Sequence, residues 1–302
     1  MSRLDKIKAA SILENQIGFC LKIQLKNSEV HPIRLIQASK SLIGLDLNKP
    51  NEKLITFNSI YLESFNNTKY SSSSNFKDDL KAVISTYDLE AAFLKKDKSL
   101  VLKLFHQLKL VSSEIHILEY LIEISLKQTG KSFLSIWSLY KSILFLSNKD
   151  TNIFINLASD IILSDEFEDI NSLENNISIN DIINYNLSVN SIDLYAHLLE
   201  AYNSDLIRLE NIKILINSFV KRKFENYQLS NFNIDNDVLF PDLLIEGRKS
   251  LLNFIDKTNI ANINSDLILF LDSIRSLFRF LDNENHKMIC FHFENILEDL
   301  NV

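Results

Sequence analysis

Apolar residues recur at intervals of three and four along most of the chain. In residues 5–26, for example, Ala9, Leu13 and Ile17 lie one helical turn apart, so they share one face of a predicted helix. Comparable spacing predicts about fourteen helices, at residues 5–26, 32–44, 52–65, 76–95, 99–110, 113–128, 133–146, 152–163, 180–187, 191–202, 205–224, 241–256, 265–281 and 284–300. Residues 227–240 are the one stretch in which we expect an extended segment.

The connections between these helices are short and polar, which is typical of antiparallel helical neighbours. Only four glycines and three prolines occur in 302 residues, so the backbone has few sites for tight turns. We therefore predict an all-α fold, a multi-helix array of antiparallel helical hairpins that forms an irregular α-solenoid or a large helical bundle. The hairpins at 99–128 and 191–224 share an apolar pattern but no tetratricopeptide or ankyrin signature.

Two breaks in the helical pattern divide the chain. Residues 70–75 belong to a Ser/Asn-rich run that buries little apolar surface, and residues 164–176 form an acidic stretch without helical periodicity. The predicted organisation is an N-terminal helical unit at 1–69, a linker at 70–75, central helical hairpins at 76–163, an acidic loop at 164–176 and a C-terminal helical unit at 177–302.

The charge balance makes nucleic acid an unexpected partner. The net charge is −7 and the pI is near 5.5, whereas phosphate backbones attract basic surfaces. Cys20 and Cys290 stand too far apart for a disulfide framework or a zinc motif, which favours a reducing compartment. The most apolar window, residues 133–146, is too short to span a bilayer. We expect a cytoplasmic protein without a membrane segment.

One fragment resembles the end of a phosphate-binding loop. It reads Thr129, Gly130, Lys131 and Ser132, but Ser125 stands where that loop needs its first glycine, and a predicted helix precedes it instead of a strand. We expect Gly130 to end one helix in a left-handed conformation and Ser132 to cap the next.

Two His-x-x-Glu pairs, His116 with Glu119 and His197 with Glu200, lie at i and i+3 of predicted helices. Both residue types ligate metals, so the pairs are candidates for a metal or haem site, which is the cofactor alternative. Di-iron helical bundles use the reverse order, Glu-x-x-His, and two more glutamates. The simpler expectation for the first pair is a polar stripe, shared with Tyr120, Glu123 and Lys127, that faces water.

A groove between neighbouring helices is the candidate small-molecule pocket. Its predicted lining is His106, His116, Glu119, Trp137 and Tyr140. The competing interpretation is that the two aromatic residues belong to the core, since they lie at helical spacing.

Basic side chains cluster at one helix end. Lys221, Arg222 and Lys223 are candidate contacts for an acidic or phosphorylated protein segment, although cations at a helix C-terminus are also favoured by the helix dipole. In the helix at 265–281, Asp272, Arg275 and Arg279 are predicted to form local ion pairs on an amphipathic helix.

No complete catalytic motif occurs in the chain. The sequence therefore favours a non-enzymatic helical scaffold that binds another protein. The alternative is a small-molecule or metal- or haem-dependent redox enzyme, with a site between helices near His106, His116 and Trp137, so whether the protein is an enzyme stays open.

Overall fold

The computed structural model describes residues 5–23, 30–65, 85–147, 150–168, 177–230 and 241–300. Within these ranges the chain is all-α, as the spacing of its apolar residues predicts. The α-helices are α1 (Lys6–Cys20), α2 (Ile33–Ile43), α3 (Glu52–Leu62), α4 (Thr86–Leu94), α5 (Lys98–Leu108), α6 (Glu114–Ser125), α7 (Lys131–Phe145), α8 (Thr151–Ser164), α9 (Val189–Tyr202), α10 (Leu209–Phe224), α11 (Pro241–Glu246), α12 (Ser250–Lys257), α13 (Ser265–Phe280) and α14 (His286–Asp299). Short 3-10 helices cover Ile179–Asn184, Gly247–Lys249, Ile260–Asn262 and Asn283–Asn285.

Extended structure is limited to two isolated β-bridges in the described ranges. Gln128 pairs with Phe167, and Tyr185 pairs with Leu229. Leu229 of the second bridge lies in the predicted extended segment, of which residues 231–240 lie outside the described residues. The predicted linker at 70–75 and residues 169–176 of the predicted acidic loop also lie outside them. The division into units and the choice between solenoid and bundle stay predictions.

Many helices begin at a polar residue whose side chain accepts a hydrogen bond from the first turn. Such a cap satisfies a backbone N–H that the helix itself leaves unpaired. The capping residues of this kind are Asp5, Asn51, Ser85, Asp97, Ser113, Asp150, Ser188 and Asn264. The Ser, Asn and Asp residues between apolar runs thus allow helices to follow each other after short turns.

Several predicted helices differ from the observed ones. The one at 5–26 ends at Cys20, and the one at 76–95 begins at Thr86. The one at 180–187 is a 3-10 helix, and the one at 241–256 is interrupted at Gly247, whose φ of 58° is in the left-handed region. The one at 205–224 begins later, at Leu209, because the backbone N–H groups of Ile207 and Arg208 donate to the carboxylate of Glu119.

Gly130 makes the turn between α6 and α7 in a left-handed conformation, with a φ of 104°, as predicted. A Cβ atom there would lie 2.9 Å from the Phe219 ring, so this position needs glycine. The predicted cap by Ser132 is wrong. Instead the carboxylate of Asp165 accepts from the Ser132 backbone N–H at 3.2 Å and from the Thr129 hydroxyl at 2.7 Å. The start of α7 therefore faces a carboxylate of the same chain.

Helix α2 lies at the centre of the fold, against α7 and α13, and α9 packs along α13. Nine of the eleven residues of α2 are buried, so this helix is covered on nearly every side. Helices α7, α9 and α13 are also buried over most of their length. Any charged side chain on the facing surfaces of these four helices must therefore find its partners inside the protein.

Candidate functional site

Trp137 and Tyr140, two of the predicted pocket residues, are buried on α7 and stack with ring centroids 5.6 Å apart. The Tyr140 hydroxyl donates to Glu119 at 3.2 Å, which joins a third predicted residue to this contact. Glu119 is 1% exposed and also holds the backbone before α10. Since Tyr120 and Glu123 are buried too, the expected water-facing stripe on α6 is wrong for these three residues.

The two histidines of the predicted pocket lie nearer the surface. His106 is exposed on α5, and His116 is partly buried on α6. A cavity of about 120 Å³ includes His116 in its wall, together with Thr86, Leu108, Ser112, Ile117, Tyr120 and Arg208. Neither Trp137 nor Tyr140 lines this cavity, so a pocket that joins all five predicted residues stays a prediction.

His197 and Glu200, the second predicted pair, lie in the interior between α9, α7 and α13. One imidazole nitrogen of His197 is 3.2 Å from Glu200, and the other is 3.3 Å from Asp193. Glu200 also accepts from the Trp137 indole N–H at 3.0 Å and from the Lys141 ammonium at 2.6 Å. The structure therefore brings Trp137, His197 and Glu200 together.

These contacts extend into a larger group, which we call the central ion network. Its members are charged side chains with at most 13% exposure: Arg34, Lys141, Asp193, His197, Glu200, Asp272 and Arg275. Arg34 of α2 forms an ion pair with Asp193. Arg275 of α13 lies 2.5 Å from Asp272 and 3.6 Å from Glu200. Every charge in this network therefore faces an opposite charge.

The network favours the charged forms of its members. Burial and Lys141 lower the pKa of His197, but its hydrogen bonds to Asp193 and Glu200 and the charge of Asp193 outweigh them and raise it. Burial raises the pKa of Glu200, but Lys141, His197 and Arg275 hold that pKa well below its usual range. With His197 as an imidazolium, the network contains three carboxylates and four cations.

The candidate metal pairs have other partners. His197 and Glu200 contact protein cations and carboxylates, and Glu119 binds backbone N–H groups. Across the described ranges, no group of three or more histidine, cysteine, aspartate or glutamate side chains is arranged to hold a metal ion.

The outer edge of the central ion network forms the wall of a cavity of about 390 Å³. We call it the basic cavity, because its lining contains five cationic side chains and one carboxylate, that of Glu200. The cations are Lys40, Lys141, Arg248, Arg275 and Arg279. The rest of the lining is Gln37, Ser41, Gly44, Leu45 and Leu144. The wall thus carries a net charge of about +4 in a chain whose net charge is −7.

Three of these cations are not neutralised. Lys40, Arg248 and Arg279 form no ion pair with a carboxylate of the described residues, although Lys40 Nζ lies 4.7 Å from the centroid of the Phe145 ring. Burial and the neighbouring Lys141 lower the pKa of Lys40 to about 8. Burial and the charges of Arg275 and Arg279 likewise lower the pKa of Arg248. The cations of the cavity therefore repel one another.

Sequence reasoning missed most of this site. Asp272 and Arg275 form the local ion pair that the sequence predicts, but the pattern did not indicate that both are buried, with 1% and 5% exposure. The pattern of α2 gave no such signal, because Arg34, Gln37 and Lys40 lie at intervals of three, as on the polar face of an amphipathic helix. Nothing in the local pattern indicates that Lys40 and Arg248 share a cavity.

The predicted anion contact on α10 is already engaged by the protein's own acidic residue. Lys223 lies 2.5 Å from one oxygen of Glu168, and Arg222 lies 2.8 Å from the other without the alignment of a hydrogen bond. Arg222 also donates to the carbonyl of Leu126. Binding of an acidic partner here stays a prediction that requires displacement of Glu168.

Comparison with protein-family models, with curated proteins and with solved structures finds no match for this chain. None of the helices in the described ranges has both the length and the apolar character needed to cross a membrane.

Proposed function

We propose that the protein binds a small, multiply charged anion of the phosphate class in the basic cavity. The observation that carries this proposal is the uncompensated charge of Lys40, Arg248 and Arg279 on the wall of one cavity. Bringing like charges together costs free energy, and an anion between them returns it. Guanidinium groups also match phosphate oxygens with paired hydrogen bonds.

The size of the cavity favours a small ligand. Small-molecule sites typically enclose about 300–1,000 Å³, and the basic cavity of about 390 Å³ lies within that range. Its wall includes the polar groups of Gln37 and Ser41, which can orient a ligand, and the apolar side chains of Leu45 and Leu144. A phosphate ester or a diphosphate with a small organic part fits this combination of charge and apolar surface.

The central ion network supports this function by fixing part of the wall. Lys141 and Arg275 belong to both regions, and their contacts with Glu200 hold them in place before a ligand arrives. A binding site whose side chains are already ordered loses less entropy when the ligand binds.

Calorimetric titration with inorganic pyrophosphate tests the proposal. The double variant Arg248→Gln/Arg279→Gln removes two cavity cations from exposed positions, and Lys6→Gln/Lys8→Gln removes two exposed cations from α1 as a matched control. We expect the cavity variant to bind pyrophosphate at least about tenfold more weakly than the wild type, because each lost contact is a charge-assisted hydrogen bond.

The control variant should bind as the wild type does. Equal weakening in the two double variants would mean that pyrophosphate responds only to total charge and would contradict the proposal. Absence of binding to the wild-type protein at millimolar pyrophosphate would contradict it as well.

The scaffold role and the redox alternative stay predictions. Neither has a contact among the described residues that favours it over anion binding. Binding of an acidic protein segment in the basic cavity would be detected as competition with pyrophosphate.

A further inference from the structure

Lys40 occupies a distinct position in the basic cavity. It lies in the last turn of α2, partly buried, with its Nζ atom against the face of Phe145 and without a carboxylate partner in the described residues. We infer that Lys40 is a nucleophilic amine that condenses with the carbonyl group of an anionic aldehyde or ketone held in the basic cavity. This inference rests on the proposed function, since the cavity cations must bind the anionic group of that carbonyl compound.

The surroundings of Lys40 favour its neutral, reactive form. Burial and the ammonium of Lys141 on α7 lower its pKa to about 8, with a smaller contribution in the same direction from Arg275 on α13. Asp272 on α13 and Glu200 on α9 act in the opposite direction. A lysine amine in a partly desolvated site beside a second cation is a recognised way to activate a nucleophile.

Other groups of the cavity wall surround this amine. Arg248 and Arg279 line the same cavity and carry positive charge. The ring of Phe145 favours the ammonium form, because an aromatic face attracts a cation. The pH dependence of the reaction therefore measures how these groups together shift Lys40 between its neutral and its ammonium form.

The two cavity lysines differ in their contacts. Lys141 donates to Glu200 at 2.6 Å and is part of the central ion network, whereas Lys40 forms no such pair. This division assigns anion binding to Lys141 and attack on the carbonyl to Lys40.

The reaction requires no oxidant or reductant. The lone pair of the Lys40 amine forms a bond to the carbonyl carbon, and the carbonyl π electrons move to oxygen, which takes up one of the two amine protons. The resulting hydroxyl group then leaves with the second amine proton as one water molecule, and the nitrogen lone pair forms the double bond of the imine. The cations of the cavity hold the anionic substituent and so place the carbonyl carbon near the amine.

Labelling with pyridoxal 5′-phosphate, an aldehyde that carries a phosphate group, tests the inference. Borohydride reduction converts any imine to a stable secondary amine, and peptide mass spectrometry then locates it. We expect Lys40 to be labelled before the exposed Lys49 and at least about tenfold faster than by pyridoxal, which lacks the phosphate group. Inorganic pyrophosphate should slow the labelling, and its rate should rise with pH around a midpoint near 8.

The variant Lys40→Arg keeps the positive charge and removes the primary amine, and Lys49→Arg is the matched control. The first should lose the label while it still binds pyrophosphate, and the second should retain both properties. If the Lys40 variant does not fold, the site of labelling in the wild-type protein decides the question by itself.

The possible failures are distinguishable. Labelling of Lys40 no faster than that of Lys49, with pyrophosphate binding intact, would overturn the role of Lys40 and leave the proposed function standing. Equal labelling of Lys40 by pyridoxal and pyridoxal 5′-phosphate would overturn the requirement for an anionic carbonyl compound. Failure of pyrophosphate binding and of Lys40 labelling together would overturn both proposals.

Discussion

The central ion network and the basic cavity are adjacent and share Lys141, Glu200 and Arg275, yet their charges are arranged in opposite ways. In the network each cation contacts a carboxylate. In the cavity, Lys40, Arg248 and Arg279 face other cations, and the pKa values of Lys40 and Arg248 are lowered by burial and by those neighbours. The paired charges of the network are typical of a cluster that stabilises the fold. The unpaired cations of the cavity are typical of a site that binds an anion.

This difference separates buried charges that stabilise the fold from charges that bind a ligand. A compensated buried cluster holds four helices in register at a large cost in desolvation, and removal of one partner leaves another charge unpaired. Unpaired cations on the wall of an open cavity lower the stability of the ligand-free protein. Their charges become stabilising only when an anion binds between them. The two regions should therefore respond in opposite ways to mutation, ligand and pH.

The largest expected effect is on folding stability, in the network. Asp193→Asn removes the negative charge that faces Arg34 and His197, and we expect a loss of about 3–5 kcal/mol, which is typical for breaking a buried pair. Denaturant unfolding measures it, with Glu210→Gln at an exposed position as the control. A loss below about 1 kcal/mol would mean that the ion pairs of Asp193 contribute no more than exposed ion pairs do, and would contradict a structural role of the network.

The next effect is ligand-dependent and belongs to the cavity. Pyrophosphate at one hundred times its dissociation constant should stabilise the wild-type protein by about 2.7 kcal/mol. The Arg248→Gln/Arg279→Gln variant should show much less stabilisation at the same concentration, as measured by unfolding with and without the ligand. An equal gain in both proteins would locate the bound anion elsewhere.

A smaller effect is expected in the same variant without ligand. Arg248→Gln/Arg279→Gln should leave the free energy of unfolding within about 0.5 kcal/mol of the wild type, or raise it slightly, because it relieves repulsion at exposed positions. A destabilisation comparable to that of Asp193→Asn would show that these arginines have a structural role.

A fourth effect is a pH dependence with opposite signs in the two regions. The pKa of His197 is raised, so its contribution to stability is complete below about 6.5 and is lost as pH rises through the higher folded-state pKa. The pKa of Lys40 is lowered, so stability should increase between about 8 and 10.5 as the repelled charge is lost. The unfolding free energies of His197→Gln, Lys40→Met and the wild type, measured between about pH 6.5 and 10.5, separate the two contributions. Contributions of His197 and Lys40 that change with pH in the same direction would contradict the difference between the network and the cavity.

The fold was predictable from local signals, and the site was not. Apolar spacing located the helices, and Gly130 located a turn, because both depend on neighbouring residues. The contact between Arg34 and Asp193 joins residues 159 positions apart, and the convergence of Lys40 with Arg248 depends on how helices pack. His197 and Glu200 stood out as a pair, but the spacing could not show that Lys141 and Asp193 would surround them.

A crystal structure of the protein with pyrophosphate would locate the bound anion directly. We expect one bound pyrophosphate in the basic cavity, with oxygens within hydrogen-bond distance of Lys40 and of the guanidinium groups of Arg248 and Arg279. A bound pyrophosphate located only elsewhere on the protein, or an empty basic cavity at a saturating concentration, would contradict it.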